Sequence, residues 1–343
     1  METRTLESTP GFVIVDLPEA ASSVGPTRIG AKLIAGNAVM YARAVTYAFA
    51  ALEIPKGGAT VGLRSEPAAA AAAIAALATE LEADLSAQRL LTWPGSRLSG
   101  PDLEPVTRHD GRSPMRDLQR DGVSFGDELV ALGASVGADS QLGGLEGSTV
   151  AIEGFGPVGV ALAREVEAAG GRVGRVATAA GTVSGPFTAA ELAEAWTAHG
   201  EALVSELGQA GKPWEVFRGD GIDVAFIGSA PGVLSGQGAA SLAGTPVVPI
   251  GPAPVSSKAL AVLRKAGTPV LPDFVTTAGP ILSWWPDEGA SPESMRSAAT
   301  ATVTAVLAET ADDPEGPYLG ACRRAEAFMR TWVTELPFGR PLG

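Results

Sequence analysis

Apolar residues fall along this chain in two recurring registers. The run Gly11-Phe-Val-Ile-Val-Asp16 predicts a short buried strand. From Gly36 to Glu53, Val39, Ala42, Val45, Phe49 and Leu52 recur at helical spacing, and Pro55 and Gly57-Gly58 end the pattern. Thr60–Leu63 and Arg89–Trp93 predict strands, separated by an alanine-rich helix running to Leu85 with Ser65 as its N-cap and Pro67 in its first turn. Residues 94–126, rich in Pro, Gly, Arg and Asp, predict loop, and a helix follows near Asp127–Ala138. Beyond Gly147, strands are expected at Thr149–Glu153, from Val173, and at Asp223–Gly228, Thr245–Ile250 and Thr268–Asp273. Helices Thr188–Ala210 and Ser256–Ala266 intervene, and Tyr318–Leu336 forms a last helix. Strands alternating with helices imply an α/β fold with a doubly wound parallel sheet covered on both faces.

The segment from Thr149 to Val173 carries the most chemistry. It reads as a buried strand, a turn with Gly154, Gly156 and Gly159, a helix and the start of a second strand. A dinucleotide fingerprint needs that setting. Gly154 allows the tight turn, Gly156 lets backbone approach a pyrophosphate, and Gly159 lets the helix pack on its strand. Phe155, Pro157 and Val158 complete the turn, and the helix N–H groups face the phosphates. A Rossmann-like domain without cofactor is the alternative reading of the same pattern.

Composition narrows the classes. The 343 residues leave room for two domains, and the net charge of −13 argues against nucleic acid as a partner. The single Cys322 excludes an internal disulfide, and the N-terminus lacks the basic-then-apolar build of a signal peptide. No apolar run reaches membrane-spanning length, so a cytoplasmic protein is expected. The two histidines, His109 and His199, stand outside any ligand-spaced cluster, so neither a His-based metal site nor a Ser-His-Asp triad is expected.

The order of segments resembles the glutamate/leucine/phenylalanine/valine dehydrogenase family. Gly25-Pro-Thr-Arg-Ile-Gly30 is similar to its N-terminal glycine motif at the substrate pocket. Ala42–Ala48 followed by Ile54–Thr60 resembles its "MTYK…LPxGGGK" pair, and Gly100–Leu103 its acidic catalytic loop. Leu145–Gly159 resembles "LEGxxVAIQGFGNVG", and Pro272–Gly279 "PDYVxNAGG". The resemblance implies an N-terminal α+β substrate and oligomerisation domain over 1–128, a Rossmann domain over 129–300, and C-terminal helices over 301–343 that return to the first domain. It also implies a small-molecule substrate, NAD or NADP as cofactor, and a homo-oligomer.

The departures cluster at polar pocket positions. The lysine that holds the substrate carboxylate is Ala48 here, the catalytic lysine is Thr60, one pocket asparagine is Thr277, and another aligns best with Pro252. Oxidative deamination needs a base of near-neutral pKa and a cation for the α-carboxylate. Thr60 and Ala48 supply neither, so common α-amino acids are not the expected substrates. Asp102 keeps the position of the catalytic aspartate; it serves as a proton donor or merely caps a turn. Lys56, four residues before Thr60, offers either a relocated base or a surface lysine. Thr178 stands where an acidic residue would hold the ribose; with Arg172 and Arg175 nearby, it favours NADP over NAD or marks a decayed site. In the enzyme reading, Ser229 and Ala230, which follow the strand Asp223–Gly228, would lie near the nicotinamide. Two functions lead: an NADP-dependent oxidoreductase for an amine, imine, ketone or larger biosynthetic intermediate, or an inactive family member serving as a structural or regulatory subunit, paired with a catalytic paralogue. A third, an amino-acid dehydrogenase with Lys56 as a relocated lysine, requires a rebuilt pocket.

Overall fold

The computed structural model describes residues 1–95 and 97–343. The chain forms two compact units: Met1–Arg112 with Arg324–Pro341, and Ser113–Arg323 with Leu342–Gly343.

The first unit is built on a five-stranded sheet with strands β1 (Glu2–Thr5), β2 (Gly11–Val15), β3 (Ser23–Ile29), β4 (Gly57–Leu63) and β5 (Leu90–Pro94), in the order β1-β2-β4-β3-β5. β3 runs parallel to β4 and β5, while β1–β2 and β2–β4 are antiparallel. Strand β3 was not legible in the sequence because Gly25 and Pro26 ordinarily disfavour an interior strand. Here a Cβ on Gly25 would lie 1.6 Å from the Ala59 carbonyl oxygen, so the close strand approach demands glycine. One sheet face buries Val13, Ile29, Val61 and Leu63 against Ile74, Leu77, Leu81 and Leu85. The other carries the helix Ala35–Ala51, whose backbone comes so near Gly58 that a Cβ there would meet the Ala42 carbonyl at 1.9 Å. Ser65 caps nothing: its hydroxyl donates to the Glu66 carbonyl, and Pro67 opens a 3₁₀ turn before the helix Ala70–Glu80.

Within the helix Ala35–Ala51, Arg43 forms a buried two-pronged ion pair with Asp16 at 2.7 and 2.8 Å and donates to the carbonyls of Phe338 and Gly339. That grip holds the returning tail. The returning segment is therefore shorter than 301–343: the helix Pro292–Thr310 belongs to the second unit, where it packs on the helix Phe125–Leu142. For the same reason the first unit ends at Arg112 rather than 128.

The second unit has a short ribbon, β6 (Gln119–Arg120) with β7 (Val123–Ser124), and a five-stranded sheet. Its strands are β8 (Thr149–Glu153), β9 (Arg172–Thr178), β10 (Gly181–Phe187), β11 (Val224–Ile227) and β12 (Val247–Pro249), in the order β10-β9-β8-β11-β12. β9, β8, β11 and β12 are parallel, as a Rossmann-type sheet requires. β10 adds an antiparallel edge that the periodicity did not predict. Gly185 and Pro186 interrupt it, and its register shifts between Ser184 and Phe187. The expected strand Thr268–Asp273 shrinks to one bridge, Val270 to Val247, since Pro269 and Pro272 cannot donate to a ladder.

Candidate functional site

Strand β8 ends at Glu153, and the glycine turn begins there. Gly154 has φ +80°, and a Cβ on it would lie 2.6 Å from the Ser229 nitrogen. Two independent reasons thus require glycine: left-handed backbone and a neighbouring main chain. The buried Glu153 carboxylate accepts the N–H groups of Gly228 and Ser229, both at 3.0 Å, and the Ser229 hydroxyl. It ties the ends of β8 and β11 together and fixes Ser229, while Ala230 is exposed.

Gly156 differs. Its φ of −166° suits any residue, and a Cβ would meet nothing nearer than Trp196 Cη2 at 3.8 Å. Nothing inside the chain requires glycine here; the position leaves a cradle that a side chain would fill. Pro157 opens the helix Pro157–Ala168, so the N–H groups of Val158 and Gly159 lie in its first turn, without acceptors within the helix. Gly159 makes room for the Phe155 ring, 2.8 Å from its Cβ position, rather than for the strand. These residues fit a dinucleotide diphosphate, whose charge the turn N–H groups and helix dipole would face.

The expected selector is arranged otherwise. Thr178 is buried, and its hydroxyl donates to the Glu201 carbonyl at 2.7 Å while accepting the Ala180 N–H. Arg172 begins β9, six residues and about 20 Å of strand from Thr178, and donates to the Thr149 hydroxyl. Arg175 donates to the carbonyls of Arg218 and Asp220, lining a polar cavity of about 450 Å³. The three residues therefore do not converge on one ribose position, because they are distributed along a strand.

On the far loops, Asp273 is fully buried. It accepts the Ala253 N–H at 2.8 Å and the Tyr318 hydroxyl at 3.0 Å, and burial pushes its carboxyl up to about 6. That bond holds Ala253 at φ +47°, beside the half-buried Pro252. Thr277 returns its hydroxyl to the Asp273 carbonyl at 2.8 Å.

In the first unit, Thr60 is buried and donates to the Pro26 carbonyl at 3.1 Å. Ala48 is buried on the helix Ala35–Ala51, and Gly30 turns the chain after β3. Asp102 is exposed. It accepts the Ser99 N–H and hydroxyl at 2.7 and 2.6 Å, and these bonds hold its carboxyl below the usual range. An acid so favoured in its ionised form is a poor proton donor, and the geometry is that of a turn cap. Partial burial lowers the Lys56 ammonium, which precedes β4 by one residue.

The residue that sequence reasoning missed is Arg28. It pairs in register with Gly62 on β4, on the face that Thr60 shares, and lies 3.8 Å over the Tyr41 ring. Tyr41 and Ala48 are seven residues apart on one stripe of the helix. Arg28 is buried, no carboxylate pairs with it among the described residues, and its Nε finds no acceptor. Burial lowers its pKa. The signal was present in Gly25–Gly30, but only burial reveals a cation without a carboxylate partner among the described residues.

Among the described residues, no cluster of His, Cys, Asp or Glu is arranged to hold a metal ion, and no helix is long and apolar enough to cross a membrane. A comparison with curated protein sequences finds no match. Among solved structures, the chain is similar to the hetero-hexameric glutamate dehydrogenase of Thermus thermophilus in its Leu-bound form. The two share 21% identity over 98% of this chain and 90% of that one, with a TM-score of 0.77. It is also similar to L-tryptophan dehydrogenase from Nostoc punctiforme, at 16% identity, 98% and 97% coverage and a TM-score of 0.62. Glutamate dehydrogenase of Plasmodium falciparum shows 14% identity, 94% and 79% coverage and a TM-score of 0.71. These likenesses establish the two-domain α/β fold. The Glutamate/Leucine/Phenylalanine/Valine dehydrogenase model matches residues 129–284, the stretch holding the glycine turn, and so assigns that stretch to the family.

Proposed function

We propose that the protein is a nicotinamide-dinucleotide-dependent oxidoreductase acting at a carbon–nitrogen or carbonyl centre, with a substrate site rebuilt relative to α-amino-acid dehydrogenases. The carrying observation is Gly156, whose outward face stays open although nothing inside the chain requires it. The bound cofactor would supply or accept a hydride. Reduction of a preformed imine then takes one further proton, to nitrogen, and no activated water. This suits a chain whose residues at the two lysine positions, Ala48 and Thr60, cannot act as bases. Amines, imines and ketones remain the favoured substrates. Arg28 adds that an anionic group on the substrate would find a buried cation on the Thr60 face. The preference for NADP rested on Arg172 and Arg175, and their positions along β9 give it no support; we therefore propose NAD or NADP without a 2′-phosphate preference.

A second reading is a regulatory or structural subunit, in a homo-oligomer or beside a catalytic paralogue. The exposed Asp102, occupied as a turn cap by the Ser99 N–H and hydroxyl, favours it, as does a similar fold occurring in a hetero-hexameric enzyme. Titration with NADH and NADPH, followed by nicotinamide fluorescence, separates the two. Binding of either supports the enzyme and opens a screen of imines and ketones; failure of both at millimolar concentration leaves the subunit reading.

A further inference from the structure

We propose that Trp196 forms the outer wall of the diphosphate seat and touches the bound dinucleotide. This inference rests on the dinucleotide reading above. Among the described residues, Trp196 is the side chain nearest the open face of Gly156: its Cη2 and Cζ2 lie 3.8 and 3.9 Å from the position a Cβ would take, with the Gly154 carbonyl oxygen at 4.0 Å. The indole therefore presents its benzo edge to the space that the missing side chain leaves. An aromatic edge carries partial positive charge, so it suits a neighbouring anion.

The ring is held in that attitude. Trp196 packs edge-to-face on Phe155, with centroids 6.3 Å apart and planes at 68°. Phe155 is in turn buried over Gly159. The helix Ala189–His199 that carries Trp196 is fixed at both ends. A capping box between Thr188 and Glu191 closes its start, and behind its end the Glu201 carbonyl accepts the Thr178 hydroxyl. Despite this support Trp196 stays partly exposed. It also lines a cavity of about 370 Å³ together with Val123, Pro157, Val160 and Ala193. A ring that only joined two helices would have been sealed by them; this one is left with an edge at the glycine turn and a surface on an open cavity.

The test compares the full-length wild type with Trp196→Phe, Trp196→Ala and Gly156→Glu. Dinucleotide affinity is read from nicotinamide fluorescence anisotropy, and energy transfer from indole to nicotinamide is read separately. Trp196→Phe keeps an aromatic edge: it should bind NADH or NADPH within about threefold of wild type while losing most of the transfer. Trp196→Ala should bind about tenfold more weakly. If Trp196→Ala misfolds, the wild-type Trp196 signal, taken as the difference from Trp196→Phe, decides through acrylamide quenching, which bound dinucleotide should suppress. Unchanged affinity in Trp196→Ala, or unchanged quenching, while Gly156→Glu abolishes binding, would overturn the wall and leave the seat. Wild type that binds neither nucleotide, or Gly156→Glu that binds normally, would instead overturn the dinucleotide reading itself, and the wall with it.

Discussion

The Thr178 hydroxyl donates to the Glu201 carbonyl at 2.7 Å, joining the end of β9 to the turn behind the helix Ala189–His199. A position that in a dinucleotide-binding fold would meet the ribose is here a buried latch. Thr178→Val should lower stability by about 1 kcal/mol, the net worth of one hydrogen bond. Thr178→Asp should cost about 2–4 kcal/mol by burying a carboxylate against a carbonyl, without creating a preference for NAD. Urea unfolding and paired NADH and NADPH titrations check both. A stable Thr178→Asp protein that selects NADH would show that the residue faces the ligand.

The two glycines of the turn should respond in opposite ways. Gly154→Ala meets both a positive φ and the Ser229 backbone, and should lose at least about 2 kcal/mol of stability. Gly156→Ala should leave Tm within about 2 °C, since its Cβ would meet Trp196 only at ordinary contact distance, and Gly156→Glu should abolish nucleotide binding. Equal thermal losses at both positions would refute the distinction between a packing glycine and a binding glycine.

Asp273 should make stability pH-dependent. Its folded-state carboxyl stands at about 6, against about 3.9 for an unfolded aspartate. Between these values the folded protein binds the extra proton, so the stabilisation is full below about pH 4 and is lost as pH rises through 6. Relative to Asp273→Asn, the wild type should lose about 2–3 kcal/mol between pH 4 and 7. Chemical denaturation at several pH values measures this difference, and a flat difference would contradict it.

Arg28→Met should not destabilise the protein. It removes a buried cation that has no carboxylate partner among the described residues, so Tm should hold or rise by a few degrees, or about 1 kcal/mol. The same change should abolish any thermal stabilisation of wild type by millimolar succinate. A fall in Tm with unchanged succinate response would make Arg28 a packing residue.

Much of the second unit was legible in the sequence. The apolar run of β8, the glycine turn and the helix Pro157–Ala168 stand in contiguous residues, and each signal is local. The helix Ala35–Ala51 was legible for the same reason, through its 3.6-residue period. Strands β3 and β10 were not, because Gly25-Pro26 and Gly185-Pro186 weaken local preference where neighbouring strands hold the chain extended.

The roles of single polar residues needed the tertiary structure. Sequence placed Arg172, Arg175 and Thr178 in one short segment, but a strand's rise sets its ends about 20 Å apart. Asp102 and Asp273 carry the same side chain; two hydrogen bonds from Ser99 lower the one, and full burial raises the other. The chain alone determined the α/β organisation and the glycine turn, since these follow from local geometry and periodicity. Only the folded protein decided that Arg28 is a buried cation without a carboxylate partner among the described residues and that Trp196 borders Gly156. Charge compensation and proximity depend on residues distant in sequence, and burial sets the strength of what they do.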